Sequence, residues 1–231
     1  MTSAPPIPAD YVEPPLRPPL SECDFYHTME LPEHGIQQGQ WDQRARLMEY
    51  LGGVALFGKR CLDIGTASGF LSFEMERAGA EVVSFDMDHP ARVEFLPIHD
   101  HPYTTDYPVW IEQHVDWLRR LHNSYWFAYH SYESCARVYH GDVYQLPDFL
   151  GHFDVVVLGQ ILVHLGNPIS ALAQAARRCR ETLIIVEGTQ KDATSTTAEF
   201  HARAARGGPP YIWWQLSIPL YRELLDMLNF E

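Results

Sequence analysis

The stretch "RCLDIGTASGFLSFEMER", Arg60 to Arg77, decides the fold. Its apolar start, Arg60 to Ile64, reads as a buried strand, and a turn holding Gly65 and Gly69 follows it directly. Ser68 is placed to cap a helix over 69–78 that stops at Gly79. In an open parallel sheet such a strand-to-helix turn lies at the carboxyl edge of the strands. Ligands bind there, and glycine lets the backbone approach them closely.

Outward from this turn, short β-rich runs alternate with helical patterns. "EVVSF" at 81–85, "ARVYH" at 136–140, "FDVVVLG" at 153–159 and "TLIIVE" at 182–187 read as strands. "NPISALAQAARRCR" reads as a helix with Asn167 at the cap, Pro168 at its first position and arginines at its end. Ser217 caps a last helix over 219–228, while 195–206 is weakly helical and ends at "GGPP". The expected fold class is α/β, a Rossmann-like, mostly parallel sheet with helices on both faces. The spacing between 85 and 136 exceeds one crossover, so 88–134 is read as an insertion carrying a helix, its aromatics mostly core. Residues 1–20 hold seven of the 17 prolines and are expected to form a flexible arm before a single domain, 21–231.

Composition narrows the function. The four cysteines are scattered, with no C-x-x-C pair, which fits reduced thiols and argues against structural zinc. The net charge is −13, with two lysines against fifteen arginines, so nucleic acid is a disfavoured partner. No apolar run is long enough to span a membrane and no signal peptide is visible, so a cytoplasmic protein is expected.

The turn itself selects among nucleotide ligands. A dinucleotide loop reads G-x-G-x-x-G, whereas Gly65 and Gly69 are separated by three residues without the middle glycine. An acid is nevertheless in place, since Asp86 ends the second strand 21 residues after Gly65, where a carboxylate can accept from both ribose hydroxyls. "GVALFGKR", Gly53 to Arg60, approaches a phosphate loop, but Arg60 replaces the metal-binding hydroxyl and the stretch precedes a strand. Neither lysine follows a tyrosine by four residues, as short-chain dehydrogenases require, although an NAD(P)-dependent oxidoreductase stays open as an alternative.

D-x-G-x-x-x-G followed by an acid closing strand two resembles class I S-adenosylmethionine-dependent methyltransferases. A longer match runs through "FYHTMELPEHGIQQGQWDQR", "GKRCLDIGTASGFLSFEMERAGAEVVSFDMD", "YHGDVYQLP" and "FDVVVLGQILVHLGNPISAL". It is similar to a branch related to enzymes that build 5-oxyacetyl or 5-methoxy groups on wobble uridine of tRNA. The resemblance implies S-adenosylmethionine as cofactor. Asp63, Gly65, Thr66, Ser68 and Gly69 would surround its methionine part, with Asp63 near the ammonium. Asp86 would hold the ribose, Met87 would pack on adenine, and Asp142 and Val143 would meet the adenine edge. Gly159 and Gln160 would line the channel to the sulfonium, Trp41 would wall the site, and His27 would lie near the acceptor.

Methyl transfer from a sulfonium is an in-line displacement that needs alignment above all. A hydroxyl acceptor adds the need for a base, and His164 in "ILVHLGNP" is the first candidate, with His27 the second. "DMDH" at 86–89 and "HDH" at 99–101 match no standard metal spacing, so no metal is expected. The expected activity is O-methylation of a small-molecule acceptor, with tRNA as runner-up and a non-catalytic cofactor-binding module as a reading of another class. Relatives continue past the last helix into an antiparallel strand pair. "LNFE" reads as its approach, so the pair is expected to be lacking and strand 182–187 to keep an open edge. A truncated chain or a homo-oligomer would follow.

Overall fold

The computed structural model describes residues 10–94, 105–190, 194–201 and 212–231. A hairpin of β1 (Met29–Leu31) and β2 (Gly35–Gln37) comes first, then a short helix α1 (Leu47–Tyr50). The central unit follows as β3 (Arg60–Ile64), α2 (Phe70–Arg77), β4 (Glu81–Asp86), α3 (Tyr107–Ser131), β5 (Arg137–His140), β6 (Phe153–Gly159), α4 (Pro168–Arg178) and β7 (Cys179–Val186). A second hairpin, β8 (Ala198–Phe200) with β9 (Trp214–Leu216), precedes α5 (Ile218–Met227).

The main sheet has five strands in the order β5-β4-β3-β6-β7, all parallel. Central strands of such a sheet are buried on both faces, which is why β6 carries the run Val155 to Leu158 and why every residue of β3 after Arg60 is buried. Their side chains divide by the two-residue period of a strand. Cys61 joins Phe73, Met75, Trp126 and Phe127 in the core under α2 and α3, while Leu62 and Ile64 join Leu158, Leu172 and Tyr221 on the other face. The register sets Asp63 opposite Ser84 on one side and Val157 on the other, so polar residues meet just below the carboxyl edge.

The expected Rossmann-like architecture is present, with local corrections. The helix after β3 starts at Phe70 and takes left-handed Gly69 as its cap, so Ser68 makes no capping bond. Cys179 and Arg180, read as the end of a helix, open β7 instead, because the chain turns extended at Cys179 without a loop. Within the weakly helical 195–206, Ala198–Phe200 is a strand. It pairs with Trp214–Leu216, so a C-terminal antiparallel pair is present, lying before the last helix as a sheet of its own. On the helix of the 88–134 stretch, Trp110, Trp126 and Phe127 are buried, but Val115 is 44% exposed. The Pro-rich segment forms no strand over its described part and is anchored on the edge strand β5. Tyr11 is buried, and the Val12 N–H donates to the Val138 carbonyl at 2.8 Å. Among the described residues no helix is long and apolar enough to cross a membrane.

Candidate active site

Backbone hydrogen bonds build the turn between β3 and α2. The N–H groups of Gly65 and Thr66 both donate to the Phe85 carbonyl, at 2.9 and 3.0 Å, and the Gly69 N–H donates to Thr66 at 2.8 Å. Ala67 stands where a dinucleotide loop carries its middle glycine, and it is left-handed as well, with φ of 51°. That conformation costs a residue with a Cβ about 1–2 kcal/mol. A charge-assisted bond offsets it, because the Ala67 N–H donates to Asp86 Oδ2 at 2.6 Å. Asp86 Oδ1 accepts the Met87 N–H at 2.7 Å. Burial raises the Asp86 carboxyl pKa, and these two donors pull against that rise. Each carboxylate oxygen keeps a free lone pair for a further donor.

Two more buried acids stand at the same edge. Asp63 Oδ2 accepts from Ser72 Oγ at 2.7 Å, whereas Oδ1 has no protein partner, and burial pushes its carboxyl up to about 6. Glu187 follows β7. Its Oε1 accepts the Leu162 N–H at 2.7 Å, its Oε2 is buried without a protein partner, and burial pushes it up to about 7. Tyr50, at the end of α1, reaches over Gly159, where a Cβ would lie 2.6 Å from its hydroxyl. Burial and the nearby Asp63 and Glu187 charges keep that phenol protonated. Sequence reasoning missed Glu187 and Tyr50. For Glu187 the signal was there, an acid ending the apolar run "TLIIV" at a carboxyl edge. For Tyr50 there was none.

Glu187 makes a stability prediction. Its folded pKa of about 7 lies above the ordinary 4.5, so the ionised form is disfavoured by folding. The cost is absent below about pH 4.5, grows across the window up to 7, and is complete above it. At about 1.4 kcal/mol per pKa unit it is on the order of 3 kcal/mol at pH 8. Glu187→Gln keeps an acceptor for Leu162 and removes the charge. Thermal unfolding should show the variant melting several degrees above the parent at pH 8 and level with it near pH 4.5; a pH-independent difference would contradict this origin.

His27 lies against the turn. Its N–H donates to Ser68 Oγ at 3.2 Å, and its ring meets Tyr26 edge-on and leans on Phe70, with centroids 4.9 and 5.6 Å apart. The Nδ1 atom is buried without a protein partner, and burial lowers the imidazole to about 4, so the ring is neutral at pH 7. Trp41 is bridged to His27 through the backbone, but it is 55% exposed, an open rim where a wall was expected. His164 closes the single turn Leu162–His164 that follows β6, half-buried.

The turn thus gathers Asp63, Gly65, Thr66, Ser68, Gly69, Asp86 and His27. Met87 is half-buried just after β4, and the other expected residues leave the neighbouring strand ends. Asp142 is already engaged, accepting from Arg92 at 3.0 Å and from the Tyr144 N–H at 2.9 Å, which ties the loops after β4 and β5. Val143 belongs to the core. Gln160 is exposed and left-handed, with φ of 59°, its N–H donating to Val186 at 2.8 Å. Of the two acidic stretches weighed for metal, 99–101 lies outside the described residues. No group of three or more metal-binding side chains occurs among the described ones.

Asp63, Asp86 and Glu187 give this edge a negative character that fits a ligand bringing a cation and hydroxyl donors and opposes a pyrophosphate. Residues 37–211 match a family model described as a methyltransferase domain. The chain belongs to this methyltransferase family. The class I, S-adenosylmethionine-dependent reading holds at that level. Among solved structures, magnesium protoporphyrin IX methyltransferase (ChlM) from Synechocystis PCC 6803 with bound SAH is 14% identical, with a TM-score of 0.50 over 81% of this chain and 71% of that one. An O-methyltransferase family protein from Burkholderia thailandensis is 11% identical, with a TM-score of 0.54 over 82% of this chain. The methyltransferase spans about half of that protein, 51%. At these identities the likeness concerns the fold. No curated protein matches the sequence.

Proposed function

We propose that this methyltransferase uses S-adenosylmethionine to methylate a hydroxyl of a small, natural-product-like acceptor. The cofactor supplies an electrophilic methyl group on a cationic sulfur. Asp86 would hold the ribose hydroxyls with the lone pairs left after Ala67 and Met87, and Asp63 Oδ1 would pair with the ammonium. Glu187 and the Tyr50 hydroxyl add negative potential and a dipole at the ends of β6 and β7, where positive charge would be held. The observation that carries the reading is His27, half-buried and neutral, with a buried, unpartnered Nδ1, beside the turn that would bind the cofactor. Such a ring can orient an acceptor hydroxyl and take its proton as the displacement proceeds. We place it ahead of His164, which reaches the edge from the loop after β6. The net charge of −13 favours a small acceptor over tRNA.

Calorimetry with S-adenosylmethionine, S-adenosylhomocysteine and NADH tests the cofactor, and binding of NADH alone would overturn the reading. His27→Asn should lower kcat by about 100-fold, the scale of general-base assistance, with cofactor affinity within threefold of the parent. Undiminished turnover in that variant, alongside loss in His164→Asn, would move the base to the other loop.

A further inference from the structure

Below the turn runs a line of buried hydroxyls that joins four elements. Ser72 Oγ on α2 donates to Asp63 Oδ2 at 2.7 Å, and Ser84 Oγ on β4 donates to Ser72 Oγ at 2.7 Å. Thr66 Oγ1 lies 2.8 Å from Ser72 Oγ, and the Tyr125 hydroxyl on α3 lies 2.8 Å from Ser84 Oγ. Ser72 and Ser84 are fully buried and Tyr125 is nearly so.

Proton counting fixes the direction of every link. A hydroxyl has one proton to give. Ser72 gives its own to Asp63, so Thr66 donates to Ser72. Ser84 gives its own to Ser72, so Tyr125 donates to Ser84. All the donors point toward one carboxylate, the only group in the chain that accepts without donating. Each bond polarises the next in a low-dielectric interior. Burial keeps the Tyr125 phenol protonated and able to serve as the terminal donor. Its ring also underlies the turn, since a Cβ on Gly69 would lie 2.8 Å from Tyr125 Cδ2.

We propose that Tyr125, Ser84 and Ser72 are positioning residues that keep the Asp63 carboxylate ionised and aimed for cofactor binding, coupling the long helix α3 to the glycine turn. The inference rests on Asp63 meeting the ammonium, as set out under the proposed function. Without the chain, Asp63 would lose the Ser72 hydroxyl and keep only the weaker support of Thr66 and the Ser72 backbone, its Oδ1 already lacking a partner. The other titratable groups whose fields reach it are Asp86 on β4, Tyr50 on α1, Tyr125 on α3 and Cys61 on its own strand, and Asp86 opposes its ionisation.

Calorimetric titration of the full chain with S-adenosylhomocysteine, which carries the same ammonium and needs no turnover, tests this across pH 5 to 9. In the parent, affinity should fall as pH drops through about 6, where Asp63 takes up a proton. Ser72→Ala should bind about tenfold more weakly at pH 7, the equivalent of one charge-assisted hydrogen bond. Its acid fall-off should move upward by about one pH unit. Tyr125→Phe, nearly the same shape, should move both readouts the same way by about three- to fivefold, and it decides the matter if Ser72→Ala does not fold. A purely structural role would lower Tm without moving the fall-off. A parent that binds and variants that bind with the same affinity and pH profile would overturn the proposal alone; a parent that binds no adenosyl ligand would overturn it together with the proposed function.

Discussion

Gly69→Ala is expected to lower Tm by roughly 10 °C, the largest stability loss at any single glycine of the site. Gly69 caps α2 at φ of 88°, where a Cβ costs about 1–2 kcal/mol by itself. The added methyl would stand 2.8 Å from Tyr125 and nearer still to the Phe73 ring. Both rings are buried and meet at a 40° tilt with centroids 4.9 Å apart, so neither has room to withdraw. Overpacking of this kind adds about 1–3 kcal/mol. For a chain of this length each kcal/mol moves Tm by about 2–4 °C. Gly52→Ala is the control. Gly52 is left-handed too, φ of 63°, but nothing lies within 4 Å of a Cβ there, so only the backbone cost should appear. Equal losses in the two variants would show that packing against Tyr125 and Phe73 contributes nothing.

Much of the fold could be read because it is written locally. Continuous apolar runs such as "FDVVVLG" suit strands buried on both faces, and Asn167 with Pro168 marks a helix start that the structure realises, Asn167 Oδ1 accepting the Ser170 N–H at 3.1 Å. What escaped was either too short or not local. β8 is three residues with every side chain exposed, so no alternation of polar and apolar positions announces it. Ser72 and Ser84 sit inside a helix and a strand where an isolated serine reads as incidental. They are buried because their partners arrive from other elements, a pairing that no spacing along the chain encodes. The site divides in the same way. Asp86 is legible from its distance after Gly65, but that it also holds Ala67 in a left-handed turn is visible only when the two strands lie side by side.

That second duty makes Asp86→Ala the most damaging change to cofactor binding, an expected loss of about 1000-fold in affinity for S-adenosylhomocysteine. The parent carboxylate accepts two backbone N–H groups at 2.6 and 2.7 Å. Hydrogen bonds to a charged group contribute about 1.5–3 kcal/mol each, and about 1.4 kcal/mol is a factor of ten in affinity. Alanine would remove the proposed ribose acceptor and at the same time free Ala67 to leave its left-handed conformation, so the turn would bind worse even where it contacts other parts of the ligand. Asp86→Asn separates the two duties from charge. An amide offers one oxygen, and its NH2 group would face one of the two N–H donors, so one side of the turn stays held and the other is repelled. Its affinity should fall between parent and alanine, about 100-fold below the parent. If Asp86→Asn instead binds as the parent does, charge is irrelevant at this position; if Asp86→Ala loses less than tenfold, the ribose is held elsewhere and the acid serves only to shape the turn.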